Sequence, residues 1–200
     1  MSTYHGGSRE LQERFGSGPL ADRLSEKLSR DTFTDDDKAF VEGASFFFLA
    51  TADAAGRPDC SFKGGPVGFV KIHTPRLLLF PDYDGNGMFR SLGNIRRNPH
   101  IGMLFIAMGE KPKRLRVNGR AVLDFDHSTI GEMPGAQLVV QVVPELIFPN
   151  CPRYIPNLGT GASSPYEPRA GVAPLEPAWK GFDMFKDVVC LLYTSPSPRD

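Results

Sequence analysis

The chain has 200 residues, enough for one domain with a substantial buried core and some additional segments. Its 23 basic and 23 acidic side chains balance, so no net charge favours nucleic acid or an anionic membrane as a partner. Hydrophobic residues make up 40% of the chain, as in globular proteins, but no apolar run approaches the roughly 20 residues of a membrane-spanning helix.

The compartment is inferred from the N-terminus and the cysteines. The first ten residues lack the basic and then apolar layout of a signal peptide. The three cysteines, Cys60, Cys151 and Cys190, lack the spacing of a disulfide framework or a metal site. We therefore expect a cytoplasmic protein with no bound metal.

Helices are predicted in the N-terminal part of the chain. Residues 9–30 are charged and helix-compatible, with a break at residues 16–19. Leu20, Leu24 and Leu28 recur every fourth residue, which gives a helix one apolar stripe. A further helix is predicted to begin after Thr34, because three aspartates follow it, and to end near Gly43.

The next segment predicts a β-hairpin. Residues 46–51 are apolar and β-favouring, and residues 54–58 form a turn cluster before a second strand. We expect the phenylalanines of the first strand to pack in the core or in a dimer interface.

The second strand of this hairpin carries candidate binding residues. Strand alternation puts Ser61 and Lys63 on one face and Cys60 and Phe62 on the other, where we expect Cys60 to be packed. A hydroxyl and an ammonium, followed by glycines at residues 64–65, suit a phosphate-bearing ligand. The alternative is a hairpin with a solvated surface lysine.

Short strands dominate the rest of the chain. They are predicted at residues 68–73, 76–80, 100–107, 114–125 and 137–148, with short helices at residues 88–97 and around Trp179. Many strands with short turns and few helices favour an antiparallel barrel over a parallel βαβ fold.

Residues 82–98 contain a second candidate anion site. Gly85 and Gly87 allow a tight turn before a helix, whose first free N–H groups bind anions. Arg90 and Ser91 lie in that first turn, where a guanidinium and a hydroxyl can bind phosphate oxygens. The alternative is a loop-to-helix junction with solvated side chains.

The strand that includes residues 113–119 is basic on one face. Alternation puts Arg114 and Arg116 on one face of the strand, and Leu115 and Val117 on the other. Such a face either contacts an anion or keeps a sheet edge soluble.

Three segments in this order resemble the pyridoxamine-5′-phosphate-oxidase-like FMN-binding split barrels. They are ATADAAGRPDCSFKGG at residues 50–65, LLLFPDYDGNGMFRSLGNIRRNPHIGMLF at 77–105 and RLRVNGRA at 114–121. The resemblance implies a mainly β fold with flanking helices, a six-stranded antiparallel Greek-key split β-barrel. It also implies a homodimer with FMN bound at the subunit interface.

The resemblance assigns eight residues to FMN. Ser61 and Lys63 would line the flavin. Arg114, with Arg116 nearby, would approach the flavin ring or its phosphate. The loop and helix start that hold the phosphate would be Asn86, Gly87, Arg90 and Ser91.

An FMN-dependent oxidoreductase acting on a small molecule is the function that follows. We assign no catalytic side chain, because a flavin performs the redox chemistry itself. Two alternatives remain: a non-catalytic flavin-binding module for storage, sensing or stress, and a split barrel that uses deazaflavin or haem. The C-terminal Trp- and Arg-rich segment of true pyridoxamine-phosphate oxidases is reduced here to Trp179 and Lys180, so vitamin B6 oxidation is not assigned.

The expected organisation has four parts. They are an N-terminal helical segment (1–34), the FMN-binding barrel (35–148), a Pro/Gly-rich loop and C-terminal segment (149–189), and a tail (190–200). The tail, CLLYTSPSPRD, resembles a translated sequencing adapter, and we expect it to be non-native.

Overall fold

A computed structural model describes residues 4–161, 165, 175 and 178–189 of the chain. Two compact units are distinguished, one within Arg30–Ala162 and one formed from Met1–Ser29 and Ser163–Asp200. The predicted non-native tail lies outside the described residues, and the four predicted segment boundaries remain a prediction.

The predicted helices and strands are present, with ends that differ from the prediction by a few residues. The helices are α1 Gly6–Arg14, α2 Gly18–Leu28, α3 Asp35–Glu42, α4 Arg90–Arg97, α5 His127–Gly131 and α6 Lys186–Val189, with a 3₁₀ turn at Ala178–Gly181. The strands are β1 Phe46–Ala52, β2 Pro58–Gly64, β3 Lys71–Thr74, β4 Leu77–Tyr83, β5 His100–Ala107, β6 Lys113–Asp124 and β7 Ala136–Pro149. The short helix α5 was not predicted. Within the described part of the chain, no helix is both long enough and apolar enough to cross a bilayer.

The smaller unit packs around the apolar stripe of α2. Leu20 is buried against Phe185 and Val188, and Leu24 and Leu28 pack against the same cluster. The predicted stripe is therefore confirmed, because it is the face that α2 buries.

Helix α3 begins with the predicted capping arrangement. The Asp37 amide donates to Thr34 Oγ1 at 3.2 Å, and the Thr34 amide donates to Asp37 Oδ2 at 3.0 Å. The Arg30 guanidinium binds both oxygens of the buried Asp37 carboxylate. Two of the unpaired N–H groups near the start of α3 are thereby satisfied, which stabilises this end of the helix.

One antiparallel sheet forms the larger unit. In the described residues it has seven strands in the order β2-β1-β5-β6-β7-β4-β3, so β2 and β3 are its edges. The predicted fold class, mainly β with flanking helices in an antiparallel split barrel, is confirmed, with one strand more than the six expected.

The sheet curls until strands far apart in its order meet. Lys63 Nζ on β2 lies 3.5 Å from Asp82 Oδ1 on β4, although four strands separate β2 from β4 in the sheet order. The Phe47 ring on β1 likewise contacts the Phe80 ring on β4 edge to face, at 5.1 Å between centroids. The curled sheet encloses one core, whose fully buried side chains include Phe47, Leu49, Leu78, Phe80, Phe105, Leu115, Val117, Val140, Val142 and Ile147.

Candidate functional site

The hairpin β1–β2 presents its predicted polar face to the inside of the curled sheet. β2 pairs with β1 in the register Phe48 opposite Phe62, and burial alternates along it. Ser61 and Lys63 are half-buried on one face, as predicted, whereas Cys60 and Phe62 are exposed on the other. The prediction that Cys60 is packed was wrong, because it lies on the outer face of an edge strand.

Helix α4 starts after a tight turn that the predicted glycine supports. Gly87 has φ +70°, and Phe89 immediately before the helix has φ +48°, both in the left-handed region. The Met88 amide donates to Asn86 Oδ1 at 3.0 Å, which closes the loop. The helix begins at Arg90, two residues later than predicted, so its first turn still contains Arg90 and Ser91.

A cleft of about 430 Å³ lies between β2, the end of β4 and the start of α4. It brings together six of the eight predicted flavin-binding residues: Ser61, Lys63, Asn86, Gly87, Arg90 and Ser91. Residues more than twenty positions apart in the chain therefore share one concave site.

A hydroxyl pair and an ion pair meet at Asp59 in this cleft. Ser91 Oγ lies 3.1 Å from Ser61 Oγ and 3.2 Å from Asp59 Oδ2. Arg90 Nη2 lies 3.2 Å from Asp59 Oδ1, and the Arg90 side chain is 66% exposed. The Arg90 guanidinium is therefore held by a carboxylate but is open to a ligand.

The second cation of the cleft is also paired. Lys63 Nζ lies 3.5 Å from Asp82 Oδ1, and the Gln137 side-chain amide donates to Asp82 Oδ2 at 3.1 Å. With Asp84, three carboxylates line the cleft against two cations. An anionic ligand must therefore compete with the carboxylates for Lys63 and Arg90.

Sequence reasoning missed the carboxylates Asp59 and Asp82. Asp59 lies two residues before Ser61, so the same alternation that grouped Ser61 and Lys63 would have placed Asp59 with them. Asp82 reaches the cleft only because β4 lies across the curled sheet from β2, and no local pattern carries that information.

The basic strand β6 has the predicted alternation but faces away from the cleft. Leu115 and Val117 are fully buried, whereas Arg116 is exposed and Arg114 half-buried. Residues paired across neighbouring strands point to the same face of the sheet, and Arg116 pairs with Leu104, which pairs with Phe48 beside the exposed Phe62. Arg116 therefore lies on the outer face, and so does Arg114, two residues away on the same strand. Their contact with a flavin stays a prediction, and it cannot involve the face of this chain that carries Ser61 and Lys63.

Comparisons with known proteins identify the barrel region. The family model described as pyridoxamine 5′-phosphate oxidase matches residues 33–136, more than half of the chain. No curated protein matches the chain significantly.

Solved structures with similar folds have low sequence identity. HupZ of Group A Streptococcus is 21% identical with a TM-score of 0.46, covering 66% of this chain and 98% of that one. An FMN-binding protein of Syntrophomonas wolfei is 10% identical with a TM-score of 0.42, covering 73% and 98%. HutZ, the haem storage protein of Vibrio cholerae, is 20% identical with a TM-score of 0.41, covering 57% and 92%.

Proposed function

The chain belongs to the pyridoxamine 5′-phosphate oxidase family, and on that premise we propose that it binds FMN and is an oxidoreductase acting on a small molecule. The observation that carries this proposal is the cleft that gathers Ser61, Lys63, Arg90 and Ser91. Hydroxyls, an ammonium and a guanidinium are the donors that bind phosphate oxygens.

The cleft fits a flavin nucleotide in size and in donors. Its volume of about 430 Å³ lies within the usual range for small-molecule sites. Hydrogen bonds to a charged phosphate contribute about 1.5–3 kcal/mol each, and a helix N-terminus about 0.3–2 kcal/mol. Micromolar affinity needs about 8 kcal/mol, which three or four such contacts and ring burial can supply after the costs of association.

In this proposal each group of the cleft has a defined task. Arg90 and Ser91 bind the phosphate, with the free N–H groups at the start of α4. Ser61 and Lys63 line the body of the flavin, and Asp82 holds Lys63 in place through their ion pair. When bound, FMN supplies the electron-transfer chemistry, and no side chain is assigned as catalytic.

A homodimer completes the proposal. Arg116 is exposed on the outer face of the sheet, so it reaches a flavin only if a second copy brings that face against the cleft. The Arg114 guanidinium on the same face donates to the Cys151 carbonyl and lines a separate pocket, so we do not assign it to the flavin. The outer face of the hairpin is apolar: the Phe62 ring is stacked on Phe46 at 5.5 Å, and Phe62 is 63% exposed. Exposed aromatic clusters of this kind mark protein interfaces.

The phosphate assignment is tested by titrating the protein with FMN and riboflavin. Riboflavin lacks the phosphate, so Arg90→Gln should weaken FMN binding at least tenfold and riboflavin binding less than about twofold. Arg97→Gln, at the other end of α4, is the matched control and should change neither. Equal losses for both ligands would place the phosphate away from Arg90.

Cofactor and activity need separate measurements. The absorption spectrum of the purified protein distinguishes a flavin from haem, and a colourless protein that does not take up FMN would contradict the cofactor proposal. Oxidoreductase activity predicts that reduced nicotinamide nucleotides or small-molecule reductants reduce the bound FMN and that an acceptor reoxidises it repeatedly. A bound flavin that none of them turns over would indicate the non-catalytic module instead.

A further inference from the structure

A second pocket, of about 310 Å³, lies where the segment after β7 packs over the ends of β5 and β6. Two arginines line it, Arg114 from β6 and Arg153 from the segment after β7. Its other walls are largely apolar and include Ile106, Met108 and Ile155. None of the described residues that line it is acidic, which distinguishes it from the cleft with its three carboxylates.

Both arginines hold buried donors that lack an acceptor. The Nε–H groups of Arg114 and Arg153 are covered from solvent and have no hydrogen-bond partner among the described residues. The Nη2 of Arg114 donates to the Cys151 carbonyl at 2.5 Å, so this guanidinium is fixed beside the pocket. A buried polar group without a partner destabilises the fold, and more so when it is charged. An oxyanion in the pocket would supply acceptors after a small rotation of these side chains.

The segment after β7 is anchored to the sheet by its backbone. The Asn150 amide donates to the Arg114 carbonyl at 3.1 Å, and the Leu158 amide donates to the Met108 carbonyl at 2.8 Å. Between them, Tyr154 adopts φ +66°, a left-handed conformation that costs a non-glycine residue energy. The pocket is therefore formed by chain that is tied to β6 on one side and to the end of β5 on the other.

We propose that this pocket binds a small molecule that carries a carboxylate on an apolar body and that is distinct from the flavin. The planar guanidinium groups match the two oxygens of a carboxylate, and the apolar walls match a short hydrocarbon or aromatic body. The volume of about 310 Å³ is at the lower end of the range for ligand sites, so it suits a small ligand. Because Arg114 lies on the face of the sheet opposite Ser61 and Lys63, this site and the cleft are separate within one chain.

The test uses benzoate as the probe and benzamide as its neutral counterpart, with binding measured by calorimetry on the full chain. We expect benzoate to bind at least tenfold more tightly than benzamide. Arg153→Gln should weaken benzoate at least tenfold, and Arg153→Lys, which keeps the charge but loses the fork, should weaken it less. Arg120→Gln is the matched control, since Arg120 lies on the same outer face of β6 and outside the pocket.

Three results would overturn the proposal. They are equal binding of benzoate and benzamide, equal effects of Arg153→Gln and Arg120→Gln, and displacement of benzoate by saturating FMN. The FMN titration of the Arg153→Gln protein should match that of the wild type, which also shows that the variant is folded. If the protein binds no FMN at all, the proposed function fails, but the benzoate comparison is still decisive for this pocket.

Discussion

Arg90 and Asp59 form an ion pair inside the cleft, with Nη2 and Oδ1 3.2 Å apart. Asp59 therefore competes with the flavin phosphate for the Arg90 guanidinium that we assign to that phosphate. Asp59 also lies within hydrogen-bond distance of Ser91 Oγ. Asp59→Asn removes the competing charge while keeping the shape of the side chain. We expect FMN to bind about tenfold more tightly to this variant, equivalent to about 1.4 kcal/mol, with little change for riboflavin.

Fluorescence titration with both ligands measures this difference. Asp36→Asn is the control, because Asp36 is exposed on α3 and the substitution changes the net charge by the same amount. If FMN binding weakens in the Asp59→Asn protein, Asp59 supports the phosphate site instead of competing with it.

Asp59 also shows how far local sequence patterns predict this site. Alternation along β2 predicts that Ser61 and Lys63 share a face, and the same alternation places Asp59 with them. Alternation cannot show which face of β6 points toward the cleft, because that depends on the pairing of β6 with β5 and of β5 with β1. The residues proposed to bind flavin could therefore be named from the sequence, but the folded sheet was needed to show that Arg114 and Ser61 lie on opposite faces.

The fold was predicted more completely than the site, because its signals are local. Apolar periodicity, turn residues and the capping pattern after Thr34 each act within a few residues and specify the strands and helices. The closure of β2 toward β4 has no such signal, since Lys63 and Asp82 become neighbours only after the sheet has curled.

The ion pair between Asp37 and Arg30 should contribute strongly to stability. The Asp37 carboxylate is buried, accepts hydrogen bonds from the Arg30 guanidinium and the Thr34 amide, and caps α3. Asp37→Asn leaves the guanidinium without its counter-charge, so we expect a loss of about 2 kcal/mol in the free energy of unfolding. Urea denaturation measures it. The control, Asp36→Asn, alters an exposed side chain of the same helical turn and should stay within about 0.5 kcal/mol of the wild type.

The same carboxylate should make stability depend on acid pH. Burial raises the pKa of Asp37, but the hydrogen bonds from Arg30 and Thr34 outweigh burial, so its pKa lies below the ordinary value. The contribution is complete above the ordinary carboxyl pKa of about 3.9, and it is lost as the pH falls through the lower folded pKa. The difference in unfolding free energy between wild type and Asp37→Asn should therefore shrink below about pH 4. A difference that is constant down to low pH would mean that the stabilisation does not depend on the charge.

Gly119 should be intolerant of any side chain. It lies at the register shift between β6 and β7, where an added Cβ would approach the Val143 carbonyl oxygen far inside contact distance. We expect Gly119→Ala to destabilise the protein by about 2–3 kcal/mol, because the atoms nearest the added Cβ belong to the backbone of Val143 and Pro144 and cannot move independently. Gly93→Ala has open space around the new methyl group and lies inside α4, so it should stabilise by about 0.5 kcal/mol. Urea denaturation of the two variants should therefore give opposite signs, and a neutral Gly119→Ala would contradict the close approach of β6 and β7.

Phe62 provides the test of the proposed homodimer. Its ring is stacked on Phe46 and lies edge to face with Phe48, on the exposed side of the edge hairpin. If a second copy covers this face, Phe62→Asp places a charge in an apolar interface and should raise the dimer dissociation constant at least about tenfold. Phe62 is 63% exposed but contacts Phe46 and Phe48, so the free energy of unfolding of the isolated subunit should fall by about 1 kcal/mol. Sedimentation over a range of protein concentrations measures the dissociation constant. Leu11→Asp changes a similarly exposed apolar residue on α1, away from the sheet faces assigned to the interface, and serves as the control. Equal dissociation constants for wild type and Phe62→Asp would exclude this face from the interface, and a wild type that is monomeric at all concentrations would refute the homodimer.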